Sequence, residues 1–326
     1  MTAFLFCYSI DSQGNANQYV YGHVLDMMEK ENCKFMKKVL SVVLVLMLAT
    51  ALFAGCATPA PVAPSAEPAP APSSEAAPEP SAAPALSGAV KLTGSSSMQT
   101  LVEALIEAYK EIEPGVTVEC QYPGSGQGMT AAADGTVDIG NASRALKDEE
   151  AANLDAHVVA TDGVAVVVNS ANTVDDLTTE DIVKIFTGEI TNWKDVGGAD
   201  APIVVIGRDE ASGTRAAFQE LLKIEEPKYA QELTSTGTVK STVASNPDAI
   251  GYISLDAVDS TVKAVKVGGV EATPENILSG SYKISRPFVM ATKKGVTLSA
   301  QAQSFLDFAM SDAGKEIAKS VGLVVG

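Results

Sequence analysis

One local grammar recurs along this chain and limits what it can fold into: a short apolar strand, a turn of glycine and small hydroxyl residues, then a helix. Residues 90–93 lead into Gly94-Ser95-Ser96-Ser97, and residues 116–122 into Pro123-Gly124-Ser125-Gly126-Gln127-Gly128. Residues 137–140 lead into Asn141-Ala142-Ser143-Arg144, and residues 203–206 into Arg208-Asp209-Glu210-Ala211-Ser212-Gly213-Thr214. The first N–H groups of a helix have no partner within it, so each such start attracts anions. In an open parallel sheet these turns gather at the carboxyl edge of the strands, where ligands bind. The pattern predicts an α/β chain in which four helix N-termini converge on one point. One such turn alone is ordinary capping; four with matching chemistry point to a shared anion.

The fourth turn is the richest. It adds hydroxyls at Ser212 and Thr214, a Gly213 that lets a ligand touch the backbone, and a guanidinium at Arg208. Glu210 is expected to orient that arginine. A plain Ser-capped helix with a surface arginine is the alternative for this segment taken by itself.

Elsewhere the periodicity sets the frame. Met98, Leu101, Val102, Leu105, Ile106, Tyr109 and Ile112 recur at spacings of three and four, predicting one buried helix face that Pro114-Gly115 ends. Further helices are expected at 129–133, near Lys147, and at 178–186, 216–223, 238–245, 298–309 and 313–321, with a strand at 249–255. The only tryptophan, Trp193, is read as a core anchor rather than a ligand wall. Residues 164–169 and 287–292 are almost wholly apolar strands suited to a crossing between lobes. They divide the chain into one lobe of 88–166 plus 285–326 and another of 167–284.

The N-terminal third has a different character. Met36-Lys37-Lys38, an apolar run over 39–54 and Gly55-Cys56 make a signal peptide over 36–55, too closely followed by its processing site for a permanent membrane span. Residues 1–35 lie upstream of it, as a start called too early or as a real extension. The run Leu52-Phe53-Ala54-Gly55-Cys56 resembles a bacterial lipobox, which implies lipidation of Cys56, with plain secretion as the alternative. Residues 56–87 are Pro-, Ala-, Ser- and Glu-rich and cannot bury enough surface to order themselves, so they are read as a spacer. Of four cysteines, Cys7 and Cys33 fall in the leader, Cys56 is the lipid candidate, and Cys120 is left as a buried strand residue without a disulfide partner. The net charge of -17 lies entirely after Cys56, which argues against nucleic acid as a partner. It also opposes long-range steering of an anion, so local hydrogen bonds would have to carry the affinity.

With these segments in place, residues 88–326 resemble the phosphate-binding proteins of ATP-driven phosphate importers. The matching pieces are Thr93-Gly94-Ser95-Ser96-Ser97, Pro123-Gly124-Ser125-Gly126, Asp138-Ile139-Gly140-Asn141-Ala142-Ser143-Arg144, Ile185-Phe186-Thr187-Gly188-Glu189-Ile190-Thr191-Asn192-Trp193, the Arg208 to Thr214 turn and Asn246-Pro247-Asp248-Ala249-Ile250-Gly251-Tyr252, in that order. The resemblance implies a two-lobed, periplasmic-binding-protein-like fold of type II with phosphate in the cleft between lobes. It implies phosphate binding by Ser96, Ser97, Ser125, Ser143, Arg208, Ser212, Gly213 and Thr214. It further implies a lipid-anchored monomer on the outer side of the cytoplasmic membrane, partnered by the permease and ATPase subunits of an ABC importer. Some members of the family carry an aspartate where Ser143 stands, accepting the proton of phosphate and rejecting sulfate; here a serine oxygen can still accept, and Asp162 or Asp209 is a candidate substitute.

An enzyme is the competing class. After the leader only His157 could serve a serine as base, Pro123 breaks the pattern of a nucleophile elbow around Ser125, and Thr214 stands where a P-loop needs lysine. One histidine and one cysteine make a zinc site hard to build. The expectation is no catalytic residue, no metal and no cofactor. Among binding proteins, the rivals are receptors for tungstate, molybdate or sulfate, and a surface lipoprotein whose cleft has lost its ligand.

Overall fold

In the computed structural model, which describes residues 86–325, all four strand–turn–helix units form. The signal peptide, Cys56 and the spacer up to residue 85 lie outside the described residues. Strand β1 (Gly88–Gly94) passes through a 3-10 turn (Ser96–Met98) into helix α1 (Gln99–Ile112). Strand β2 (Val116–Gln121) leads to α2 (Ser125–Asp134), and β3 (Ile139–Ala142) to the short α3 (Asp148–Ala151). The long β4 (Leu154–Asn169) is followed by β5 (Asp176–Leu177) and α4 (Thr179–Phe186). Then come β6 (Val204–Arg208), α5 (Gly213–Leu222), β7 (Gln231–Leu233), α6 (Thr236–Ser245) and β8 (Ala249–Ser254). The chain closes with β9 (Val262–Ala264), β10 (Lys266–Val267), α7 (Pro274–Leu278), β11 (Ser285–Lys293), α8 (Ala300–Met310) and α9 (Asp312–Ser320).

Two helices start earlier than the apolar periodicity alone predicts, because the polar turn residues themselves form the first turn: α2 begins at Ser125 and α5 at Gly213. On α1 the stripe Leu101, Val102, Leu105 and Tyr109 is buried as expected, but Ile112, its last residue, is 57% exposed. The third strand begins at Ile139, not Val137, since Asp138 turns its carboxylate to the Lys91 N–H.

Nine strands form one sheet in the order β2-β1-β3-β11-β4-β8-β6-β7, with β9 also on β4. Two wings are wholly parallel, β2-β1-β3 on one side and β8-β6-β7 on the other. Between them β11 and β4 run antiparallel to each other and to their outer neighbours. The predicted crossing strand 164–169 is only the second half of β4, a 16-residue strand. Its first half, 154–163, pairs with β11, and its second half, from Val164, pairs with β8 and β9.

This register decides where the turns meet. The two wings have opposite strand polarity and attach to opposite halves of β4. The carboxyl ends of one wing therefore face the carboxyl ends of the other across the junction at Gly163 and Val164. Each wing has its own apolar core. One contains Leu92, Met98, Leu105, Tyr109, Phe288 and Phe305; the other contains Ile182, Phe186, Trp193, Phe218, Ile250 and Tyr252. Trp193 is 1% exposed and donates its indole N–H to the Asp248 carbonyl, so it anchors the second core as expected. Among the described residues no helix is long and apolar enough to cross a membrane.

Candidate functional site

The eight residues expected to bind an anion all lie at this junction or in the turns that face it, and the hydroxyl and arginine side chains among them are buried. Ser96 and Ser97 stand at the start of the 3-10 turn after β1, where Ser95 caps the Ser97 N–H. Ser97 Oγ lies 2.7 Å from Thr214 Oγ1, at the head of α5 in the opposite wing. Ser96 Oγ accepts from Arg208 Nη2 at 3.1 Å. Ser125 and Ser143 face each other at 3.4 Å between their hydroxyls, and Ser125 Oγ accepts from the Ser143 N–H at 3.1 Å. A side chain at Gly213 would place its first carbon 2.2 Å from Ser125 Oγ and 2.8 Å from Ser143 Oγ, so only glycine permits this approach. Ser212 caps α5 through the Arg215 N–H. The Gly126 N–H donates across the junction to the Ala211 carbonyl at 3.0 Å.

Sequence reasoning missed two members. Arg286, on β11 directly opposite Asp162 of β4, is 3% exposed and donates from Nη1 to Thr214 Oγ1 and to the Ser143 carbonyl, each at 2.8 Å. Its signal was a charged residue opening an otherwise apolar strand. Thr236 is the second: its N–H donates to Ser96 Oγ and its hydroxyl lies 2.9 Å from Ser97 Oγ. It belongs to a fifth strand–turn–helix unit, β7 to α6, whose strand is only three residues long. Thr234-Ser235-Thr236-Gly237-Thr238 carried the same grammar as the other turns, without a strand strong enough to announce it.

The expected role of Glu210 is not supported by the geometry. Its side chain is exposed, and Arg208 is oriented instead by backbone carbonyls, donating Nε to Leu233 and Nη2 to Thr234. Carbonyls serve here because β7 lies beside β6 and ends at the guanidinium. Cys120, expected to be buried, is half-buried on β2, the edge strand of the sheet, and receives a hydrogen bond from Asn141 Nδ2. Burial pushes its thiol up to about 11. His157 sits on β4 with Nε2 3.2 Å from Thr292 Oγ1.

Hydrogen counting shows what the junction offers. Thr214, Ser97 and Thr236 form a row with two hydroxyl–hydroxyl contacts, which use two of three O–H hydrogens whichever way they point. Arginine only donates, and Arg286 and Arg208 reach the two ends of this row, the latter at 3.4 Å. Ser96 Oγ already accepts twice, from Arg208 and from the Thr236 N–H, so its own hydrogen is left over. The Ser125–Ser143 contact uses one hydrogen of two. Ser96 Oγ has no lone pair left, and an unused hydrogen remains on each of these three groups of hydroxyls, beside two guanidinium groups. Such a surplus of donors suits an anion.

Burial lowers both arginines, Arg208 to about 10 and Arg286 in the same direction, so Arg208 still carries its charge at neutral pH. Asp162 is the counter-charge of Arg286, at 2.9 Å, with both side chains almost fully buried. Its oxygens accept from Arg286 Nε and Nη2, from Ser254 Oγ and from the Leu255 N–H. Burial pushes Asp162 up, to about 7, and pushes up Asp256 nearby, whose carboxyl oxygens are buried with no hydrogen-bond partner. Asp162 accepts four hydrogen bonds that favour its charged form, whereas the carboxyl oxygens of Asp256 accept none.

Known proteins are similar to this chain in sequence and fold. A family model described as a PBP superfamily domain matches residues 76–313. The phosphate-binding protein PstS of Bacillus subtilis is 36% identical over 234 residues, 70% of this chain and 76% of that protein. A structure from Clostridium perfringens, assigned as a phosphate ABC transporter substrate-binding protein and holding bound phosphate, is 45% identical with a TM-score of 0.71. It is matched along its whole length by 73% of this chain. An ABC-type phosphate transport receptor from Vibrio cholerae is 33% identical with a TM-score of 0.62, also matched along its whole length by 73% of this chain. The mixed α/β fold is thus periplasmic-binding-protein-like, and the chain belongs to the PBP superfamily and, within it, to the family of PstS phosphate-binding proteins.

Proposed function

We propose that this protein binds inorganic phosphate at the junction and delivers it to an ABC importer. The observation that carries this reading is the surplus of donors: hydroxyl hydrogens from five turns beside two buried arginines, with the one paired carboxylate already accepting four hydrogen bonds. Ser96, Ser97, Ser125, Ser143, Arg208, Ser212, Gly213 and Thr214 are the proposed phosphate-binding set. Each charge-assisted hydrogen bond in a water-free site contributes roughly 1.5–3 kcal/mol, while micromolar affinity needs only about 8 kcal/mol net. The set is sufficient even after the costs of closure.

The lobes we propose divide where pairing along β4 changes partner, between Gly163 and Val164, three residues before the predicted boundary at 166. Opening would swing one wing from the other about β4 and β11. The protein acts outside the cytoplasmic membrane, tethered through a lipid on Cys56, with permease and ATPase subunits as partners and no chemistry of its own. His157 pairs with Thr292 rather than with a serine, which supports a binding role over hydrolysis.

A second reading is favoured by one observation. Asp162, the candidate for a substitute proton acceptor, has its oxygens taken by four donors, and Asp209 keeps one oxygen buried without a partner. With Asp162 occupied, discrimination between phosphate and sulfate, molybdate or tungstate would rest on Asp209 alone, a weaker basis than two acceptors. Isothermal titration of the purified protein with these four anions tests both readings. Micromolar or tighter phosphate binding is expected; tighter binding of another oxyanion selects the second reading, and no binding of any refutes both.

A further inference from the structure

Thr236 lies about 140 residues from the serines it touches, across the junction from them. It is the first residue of α6 and is 4% exposed. It is not needed as a cap, because Ser235 Oγ already accepts from the Thr238 N–H. Both polar groups of Thr236 are directed at the proposed binding residues. Its N–H donates to Ser96 Oγ at 3.2 Å, and its Oγ1 lies 2.9 Å from Ser97 Oγ and 3.4 Å from Arg208 Nη1. One residue thus contacts Ser96 through its backbone N–H, and Ser97 and Arg208 through its hydroxyl.

The consequence concerns direction as well as contact. Ser96 Oγ accepts from Arg208 and from the Thr236 N–H, so its hydrogen must point away from both. Ser97 Oγ stands between Thr214 and Thr236, which holds its rotor in line with the row of hydroxyls. We propose that Thr236 is a positioning residue of the binding site, aligning the Ser96 and Ser97 hydroxyls and the Arg208 guanidinium, and holding the two wings together once they close on an anion.

This rests on the phosphate reading. Because these contacts form only when the wings meet, their loss should appear in release rather than in encounter. Valine has the shape of threonine and keeps the N–H but loses the hydroxyl. In stopped-flow measurements with inorganic phosphate, Thr236→Val is expected to release phosphate about tenfold faster, with the association rate within roughly threefold of wild type. Thr236→Ser, which restores the hydroxyl, should release at nearly the wild-type rate. Combined with Ser97→Ala, Thr236→Val should cost clearly less than the sum of the two single effects, since both act through one contact.

Wild-type release from Thr236→Val, additive effects in the double variant, or Thr236→Ser releasing as fast as the valine variant would each overturn the assignment. Should Thr236→Val not fold, the serine variant and its cycle with Ser97→Ala decide the matter. If the wild-type protein does not bind phosphate, it is the underlying reading that fails.

Discussion

At the scale of single residues, the site balances two buried arginines against one paired carboxylate. Arg208 has no carboxylate hydrogen-bonded to it, whereas Arg286 is neutralised by Asp162. Arg208→Ala is therefore expected to weaken phosphate binding by at least about tenfold in calorimetry, but not to abolish it, because Arg286 remains. Unchanged affinity would remove Arg208 from the site. A pH effect follows from Asp256, whose carboxyl is raised by burial above its ordinary 3.8. Below that value both folded and unfolded chains hold the proton; above it the unfolded chain loses the proton first. The folded state then binds more protons than the unfolded state, so stability falls as pH rises through this window. Urea unfolding at a series of pH values upward from 3.8 should show this decline, and Asp256→Asn should reduce it. A slope that persists unchanged in the variant would assign it to other groups. The hydroxyls proposed to bind the anion, and Arg208, were legible in the sequence because their turns are local patterns. Arg286 and Thr236 were not, since what makes each relevant is a contact more than seventy residues away.

At the scale of elements, the helices are set against the strands by close backbone approach as much as by apolar stripes. Gly128 on α2 is the clearest case: a first side-chain carbon there would lie 2.7 Å from both the Gly94 Cα and the Thr93 carbonyl oxygen of β1. Backbone atoms of a central strand cannot move aside as a side-chain tip can. Gly128→Ala is expected to destabilise the fold by roughly 1–3 kcal/mol despite the better helix propensity of alanine. Chemical unfolding checks this, and a more stable variant would show that α2 can slide on the sheet. The same element explains why sequence periodicity placed the helix starts late. The polar turn residues at Ser125 and Gly213 are also the first helical residues, and an amphipathic pattern has nothing to register there. Where the apolar stripe was long, as on α1, element and buried face were both predicted, apart from Ile112 at its end.

At the scale of the whole molecule, the turns proposed to bind the anion meet only because two parallel wings of opposite polarity hang on the two halves of β4. Ligand binding and closure of the wings are then one process, and phosphate should stabilise the folded, closed chain by mass action. At a concentration about 100 times the dissociation constant, phosphate should add about 2.7 kcal/mol to stability, seen as a concentration-dependent rise in the thermal midpoint. A midpoint indifferent to phosphate would contradict the proposed function. By itself the sequence determined four of the five strand–turn–helix units, missing β7 and the first half of β4, and that their turns end in open helix N-termini and carry hydroxyls, glycine and an arginine suited to an anion. These follow from interactions within a few residues, which spacing and residue type encode directly. Only the tertiary structure decided that the turns meet, that the 16-residue β4 changes partners at Gly163 and Val164, and that Arg286 and Thr236 complete the ring. Strand order and register arise from pairing between distant segments, and no short stretch of sequence records which distant partner it will find.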